Sequence, residues 1–195
     1  MVAVFNLYKD FGGTNGSPGT STNTDALGPP MVRFKTADNA TIDTNHPIPI
    51  VASATKYSYV NWLYLKCATA PSVQVDNLKF YTDGGGFGTG ITVYVGDQFP
   101  TKNSGSSSGY KVATGVQGDS GTEMVALGAV SSKTNAFTYT SPSALLAGPS
   151  ISESGNIINA QNETSNYLVL QMMVEDTATP GNLDDETFVI QYDEI

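Results

Sequence analysis

Apolar and polar residues alternate with a period of two along much of this chain, and that period predicts β-strands. The pattern is clearest from Tyr57 to Lys66, where β-forming residues fill both alternating sets, so we expect this strand to be central and buried on both faces. Strong runs of the same kind predict strands over residues 2–8, 73–81, 91–96, 166–175 and 186–193. Weaker runs predict shorter strands over residues 31–36, 110–116, 123–130 and 135–140.

About eight to ten strands joined by turns, with almost no amphipathic helix, predict an all-β fold: an antiparallel β-sandwich or jelly roll. No repeat of fixed period is visible, which argues against a propeller or solenoid. The one helical turn predicted is Ser141–Ala147, with Ser141 as its cap and Pro142 at its first position. The last strand ends near Ile195, so we expect the end of the chain to be fixed within a sheet.

The segments between the predicted strands are rich in turn-forming residues. Phe11–Pro30 has no period and predicts a long loop or an extended arm, free to reach a neighbouring molecule. We therefore divide the chain into residues 1–30, an N-terminal strand with its arm, and residues 31–195, the β-sandwich domain. In the turn-dense stretch Ala37–Pro49, two prolines predict extended backbone at His46 and Ile48.

Composition agrees with many short strands and polar turns. The 195 residues include 20 Gly, and with 18 Ser and 22 Thr these make up 60 positions, while only 14% of residues are charged. The length suits one domain that buries its own core.

Nine Lys and Arg residues against 18 Asp and Glu give a net charge of -9, which opposes binding to nucleic acid or to an anionic membrane. All nine basic residues lie between Lys9 and Lys133, where nine acids balance them, so the negative excess lies in residues 134–195. That part of the chain predicts an acidic face, either for a basic partner or for solubility. No window approaches the roughly 18 apolar residues of a membrane span, so we expect a protein made in the cytoplasm or a mature form without its leader.

The sequence offers few candidates for catalysis. His46 is the sole histidine and Cys67 the sole cysteine, too few for a zinc site, and no strained nucleophile turn is present for a triad. We interpret His46 as a loop residue packed by its proline and Cys67 as a small buried residue near a strand end. The glycine-rich stretch Thr82–Gly90 is followed by a strand and contains no lysine, so it predicts a tight connection between paired strands, not a phosphate loop. No catalytic, cofactor-binding or metal-ligating residue is assigned.

An acidic cluster near the end of the chain leaves two interpretations open. The four acids around Pro180-Gly181-Asn182 are Asp176, Asp184, Asp185 and Glu186. Loop carboxylates of this kind are ligands for a structural calcium ion, although the EF-hand spacing is missing. The alternative is a solvated acidic hairpin tip.

Aromatic residues crowd the middle third of the chain. The set is Tyr57, Tyr59, Trp62, Tyr64, Phe80, Tyr81, Phe87 and Tyr94. Half or more should fill the sandwich core, and the others would stack on sugars or anchor a protein interface. We expect Tyr81 and Phe87, which flank the glycine-rich stretch, to lie nearest to solvent.

Four stretches carry a resemblance to a known class of protein. They are Val32-Arg33-Phe34-Lys35, Trp62-Leu63-Tyr64-Leu65-Lys66, Asn77-Leu78-Lys79-Phe80-Tyr81-Thr82-Asp83-Gly84 and Gly88-Thr89-Gly90-Ile91-Thr92-Val93-Tyr94-Val95-Gly96. Over about residues 31 to 195 the chain resembles the jelly-roll structural proteins of tailed-bacteriophage virions, especially capsid decoration proteins. The resemblance implies a sandwich that binds the outer capsid surface, as a trimer, cements neighbouring capsomers and laps an extended arm over the next subunit. Phe11–Pro30 would be that arm, and residues 2–8 the strand it delivers.

The sequence therefore predicts a non-enzymatic virion structural protein, made in the host cytoplasm and carried on the capsid surface. Its partners would be the major capsid protein and copies of itself, with no nucleic acid, no membrane and no cofactor. The alternative is a carbohydrate-binding β-sandwich module, lectin-like or receptor-binding, with two or three exposed rings beside a shallow groove.

Overall fold

The computed structural model describes residues 2–25, 32–102, 106–140, 157–181 and 183–195. These residues form an all-β protein in which every strand pairing is antiparallel. In chain order the strands are β1 (Val4–Phe11), β2 (Thr20–Asn23), β3 (Lys56–Tyr57), β4 (Asn61–Thr69), β5 (Val75–Thr82), β6 (Ile91–Gly96), β7 (Gly115–Val116), β8 (Ser120–Gly121), β9 (Lys133–Asn135), β10 (Ile157–Ile158), β11 (Leu168–Val174) and β12 (Phe188–Glu194). A 3₁₀ turn, Ala136–Thr138, follows β9.

The strands form two principal sheets. The large sheet has the order β2-β1-β4-β11-β6-β9, with β3 also paired to β11, and the small sheet has the order β10-β5-β12. A two-stranded ribbon, β7-β8, forms no strand pairing with either sheet. The antiparallel sandwich predicted from the alternation is confirmed, and its jelly-roll connectivity stays a prediction.

The strand predicted from Tyr57 to Lys66 is present and central, but one irregularity divides it. β3 and β4 both pair with β11, at Tyr57↔Met173 and at Asn61↔Leu170. Four steps along one strand therefore oppose three steps along the other. The extra residue is the signature of a β-bulge, and it separates β3 from β4 at residues 58–60.

Both faces of the large sheet are covered, so the molecule has three layers. Leu63 and Leu170 face the small sheet and pack with Phe80 of β5. On the opposite face, Trp62 packs with Tyr110. The segment from Tyr110 to Val130 covers that second face, which explains why β4 carries large apolar residues in both alternating sets.

Two predicted strands are wrong. Residues 32–36 form no strand, because the segment lies as irregular chain against the core, with Phe34 packed among core residues. Its main-chain bonds go to separate partners and form no ladder: the Tyr59 N–H donates to the Lys35 carbonyl, and the Gly118 N–H donates to the Thr36 carbonyl. Residues 123–130 form turns, because the Glu123 carboxylate accepts the N–H groups of Val125 and Ala126 and so closes a local turn. The strand predicted over 110–116 is reduced to β7, and that over 135–140 keeps only Asn135, the last residue of β9, before the 3₁₀ turn.

The segment Phe11–Pro30 is described as far as Asp25, and this part folds back on its own chain. β2 pairs with β1 from Phe11↔Thr20 to Tyr8↔Asn23, and β1 itself lies between β2 and β4. A strand within this segment was not predicted, because Ser, Thr and Asn alternate there without apolar residues. Residues 26–30, and the predicted helical turn Ser141–Ala147, lie outside the described residues.

Two further predictions about loops are wrong. The glycine-rich stretch leads from β5 in the small sheet to β6 in the large sheet, so it crosses between sheets and does not join paired strands. His46 has φ 57, a left-handed conformation in place of the extended one predicted from Pro47. Its carbonyl accepts the Thr36 N–H at 2.9 Å, a bond that fixes the conformation of this turn. The strands over 73–81, 91–96, 166–175 and 186–193 are confirmed as β5, β6, β11 and β12.

Candidate functional site

An apolar cavity of about 580 Å³ opens between the two sheets. Its walls come from both sheets. Phe5 and Leu7 of β1 and Leu65 of β4 lie on one side, and Phe188 and Ile190 of β12 lie on the other. Phe34, Phe87 and Met172 also line it. Because alternate residues of a strand share a face, the spacing of two within β1 and within β12 turns both apolar pairs to this cavity.

Charged residues, most of them acidic, line the same cavity. They are Asp25, Asp184, Asp185 and Glu186, together with Arg33. The Asp25 carboxylate accepts the Leu7 N–H at 2.8 Å, and the Glu186 carboxylate accepts the Gly86 N–H at 3.0 Å, so these two have local structural partners. Asp184 and Asp185 are exposed and form no hydrogen bond or ion pair within the described part of the chain. Their charges therefore remain available to a partner.

A second apolar cavity of about 430 Å³ adjoins the first. The two share Phe34, Met172 and Leu183 as lining residues. Leu183 is a large apolar residue with 39% of its surface exposed, and it lies directly before the acids of the rim. Together the cavities form a continuous apolar depression, which we call the intersheet groove: Phe5, Leu7, Phe34, Met172, Leu183, Phe188 and Ile190, with its acidic rim at residues 184–186.

The molecule also contains a buried charged cluster, built around Asp10 of β1. Its carboxylate, which is fully buried, accepts hydrogen bonds from the Tyr167 hydroxyl, the Ser21 hydroxyl and, at 3.1 Å, the Lys102 ammonium. Burial, with the bond to Asp10, raises the pKa of Tyr167 well above its ordinary value, so the hydroxyl stays protonated as a donor. None of these residues lines the intersheet groove, and all their polar contacts are internal. The cluster fastens β1, β2 and the start of β11 together.

A second buried group lies where β1 meets the 36–46 turns. Lys9 donates to the Asn39 carbonyl at 2.8 Å, and Lys35 donates to the Thr41 carbonyl at 2.8 Å and to Asp43 at 3.1 Å. Burial lowers the pKa of Lys9 to about 8, although the charge of Asp38 acts in the opposite direction; Lys35 adds a smaller lowering effect. Burial raises the pKa of the nearby Asp38 carboxyl. Both lysines hold turn carbonyls, which is a structural task.

Most residues singled out from the sequence are buried or packed against other residues of the protein. Cys67 is fully buried within β4, as predicted, and burial raises the pKa of its thiol. Every Phe, Tyr and Trp of the chain lies in the described part, and each is buried or half-buried. Phe87 packs edge-to-face on Phe137 at 5.9 Å between ring centroids, and Tyr81 is half-buried. Phe87 lines the intersheet groove, so of the two rings expected near solvent it is the one at the site.

The described acids predicted as calcium ligands have different contacts and do not form one group. Asp176 accepts the Ser53 N–H at 3.0 Å, whereas Glu186 holds the glycine-rich stretch. Within the described ranges no three His, Cys, Asp or Glu side chains are grouped to hold a metal ion. Asp184 and Asp185 instead lie at the rim of the groove.

The groove itself was not predicted. Its residues come from separate stretches of the chain, and the apolar ones read as ordinary core in the sequence. The acidic run at 184–186 was the one local signal for its position.

No helix in the described part of the chain is long and apolar enough to cross a membrane. Comparison with known proteins gives no relative: no protein-family model matches the chain, and neither does any curated protein or any solved structure.

Proposed function

We propose that this protein is a non-enzymatic structural protein of a virion, a capsid decoration protein that binds the outer capsid surface and stabilises it. The observation that carries the proposal is the intersheet groove, an apolar depression with an acidic rim on a three-layer scaffold. Apolar depressions with charged rims are typical of protein-binding surfaces. The resemblance of residues 31–195 to virion decoration proteins supplies the class of partner.

The disposition of the polar side chains supports a binding function over catalysis. The group that most resembles a catalytic constellation is Asp10, Lys102 and Tyr167. Lys102 and Tyr167 both donate to the Asp10 carboxylate, so these polar groups are already paired with one another inside the protein. His46 is half-buried in a loop, and its ring Nε2 lies 2.7 Å from the side-chain amide nitrogen of Gln117, so this contact of the imidazole is with an amide and not with a carboxylate. A surface that binds without chemistry requires none of these groups.

The stabilising effect follows from symmetry. A capsid offers many identical sites, so a modest free energy per contact adds up over the shell, and association of the protein as a trimer multiplies the contacts of each unit. The carbohydrate-binding alternative requires exposed rings for stacking, and none of the aromatic side chains is more than half-exposed. No observation in the described structure therefore favours carbohydrate binding.

The test is reconstitution on capsids assembled without this protein. Purified chain is added, unbound protein is removed by sedimentation, and bound protein is located by electron microscopy. We expect density on the outer surface at sites related by the capsid symmetry, and an increase in the temperature at which the capsid opens. Protein that does not sediment with the capsids, or that binds them without raising this temperature, would contradict the proposal.

A further inference from the structure

β12 is an edge strand whose free side meets the intersheet groove. It pairs with β5 on one side, and no described strand pairs with its other side. A strand edge of this kind presents unpaired N–H and C=O groups, to which an additional strand can bind.

The pairing pattern shows which residues of β12 point their main chain outward. Phe188 lies opposite Thr82, but the Thr82 N–H is bonded to the Tyr139 carbonyl at 2.7 Å, on the far side of β5. Phe188 and Thr82 are therefore a non-hydrogen-bonded pair, in which the main-chain groups of both residues point away from each other. The alternation places Ile190, opposite Phe80, in the same class. Phe188 and Ile190 thus direct their main-chain groups to the free edge, and their side chains line the groove.

From this geometry we infer that the groove binds an extended segment of a partner protein, which adds to the small sheet beside β12, places alternate apolar side chains in the cavity and carries Lys or Arg residues against Asp184 and Asp185. This mode is strand addition, in which main-chain bonds give affinity and side-chain pockets give specificity. The inference rests on the proposed function for the source of the segment, the capsid protein.

Charge argues against a second copy of this chain as the source of that segment. Lys9 and Lys35 are buried, and three other lysines are used within the molecule, in the pairs Lys56–Asp119, Lys102–Asp10 and Lys133–Glu123. The one stretch that alternates apolar and basic residues, Val32-Arg33-Phe34-Lys35, includes residues that line the groove itself. With a net charge of -9, a second copy would bring mostly acids to an acidic rim. The complementary segment therefore belongs to a different, basic protein.

The test uses a labelled peptide of about ten residues, in which alternating valine and threonine are flanked by two lysines at each end. Two control peptides are matched to it. One carries glutamates in place of the lysines, and the other carries N-methyl groups on alternate main-chain nitrogens, which remove its donors. We expect only the first peptide to bind the full chain at low salt, and the exchange of the Phe188 and Ile190 amide hydrogens to slow when it binds.

Two protein variants separate charge from apolar contact. The double change Asp184→Asn with Asp185→Asn should weaken binding by about fivefold at low salt, since each exposed ion pair contributes little. Leu183→Ser should weaken it by a similar factor, about fivefold, through lost apolar burial. Neither site is in the core, and the control pair Asp76→Asn with Asp119→Asn makes the same charge change away from the groove and should leave binding unaltered.

The peptide experiments test strand addition, and the capsid experiments test the decoration function. Equal binding of all three peptides, no binding of the lysine peptide, or unchanged exchange at Phe188 and Ile190 would overturn strand addition. Capsid binding that the lysine peptide does not compete for would also overturn it, while the decoration function would stand. If the variants weaken peptide binding but the protein does not bind capsids, strand addition is supported and the proposed function is contradicted.

Discussion

At the scale of single residues, Lys9 is the side chain whose burial has the clearest measurable effect. Its ammonium group is enclosed in the protein with a carbonyl as its hydrogen-bond partner and no carboxylate within ion-pair distance in the described chain. The pKa is lowered from 10.5 to about 8. The unfolded chain therefore binds more protons than the folded chain between these two values, and stability rises with pH across that window.

We predict that the free energy of unfolding increases by about 2 kcal/mol between pH 7.5 and 9.5 through this residue, and that Lys9→Met removes the increase. Urea unfolding of both proteins across this range measures it. Comparison of the two cancels the thiol of Cys67 and the tyrosines, whose raised pKa values act in the opposite direction above about pH 9. Lys111→Met is the control, and an equal slope in wild type and Lys9→Met would show that Lys9 does not titrate as described.

At the scale of elements, the short ribbon β7-β8 depends on close contact with the bulge between β3 and β4. Gly121 of β8 lies against the Ser58 main chain, and a Cβ atom there would overlap the Ser58 carbonyl oxygen. The same carbonyl accepts a hydrogen bond from the buried Gln171 side chain at 2.8 Å, and Gln171 also accepts the Met124 N–H at 2.8 Å. One glutamine of β11 thus fixes the segment that covers the second face of the large sheet.

We predict that Gly121→Ala destabilises the protein by about 2–3 kcal/mol, because the ribbon must move away from backbone that cannot yield. Gly12→Ala is the comparison: Gly12 has φ +65 and open space around it, so only the left-handed conformation is penalised, by about 1 kcal/mol. Thermal and urea unfolding of both variants give the two values. Equal losses would mean that the contact with Ser58 is looser than described.

The elements also show what the sequence could and could not predict. β4, β5, β6, β11 and β12 were predictable because long apolar alternation is a local signal. β2 was not, since its residues Thr20–Asn23 are polar and become a strand only through pairing with β1. The turns at 123–130 replaced a predicted strand because one carboxylate, that of Glu123, satisfies two main-chain donors locally. The groove was beyond prediction, as its walls meet only after the two sheets pack.

At the scale of the whole molecule, β1 is an integral strand of the large sheet. It lies between β2 and β4, supplies Phe5 and Leu7 to the groove, and places Asp10 in the buried cluster. Residues 2–25 therefore do two things at once: they complete the sheet and they form one wall of the candidate site.

We predict that deletion of residues 2–25 abolishes the cooperative unfolding transition, because the edge of β4 and its apolar face would be exposed. Circular dichroism during heating and binding of a dye for exposed apolar surface measure this. A synthetic peptide of residues 2–25, added to the truncated chain, should restore the transition. A truncated chain that unfolds cooperatively without the peptide would mean that this segment is dispensable for the fold.

The contact between Ala3 and Glu194 joins the two extremes of the described chain. The Ala3 N–H lies 3.0 Å from both carboxylate oxygens of Glu194, and the rings of Phe5 and Tyr192 meet edge-to-face at 5.1 Å. Any polypeptide attached at either extremity would thus emerge from one common patch beside β12. A short linker there would also permit circular permutation, with new termini cut into a distant surface turn and the sheets left unchanged.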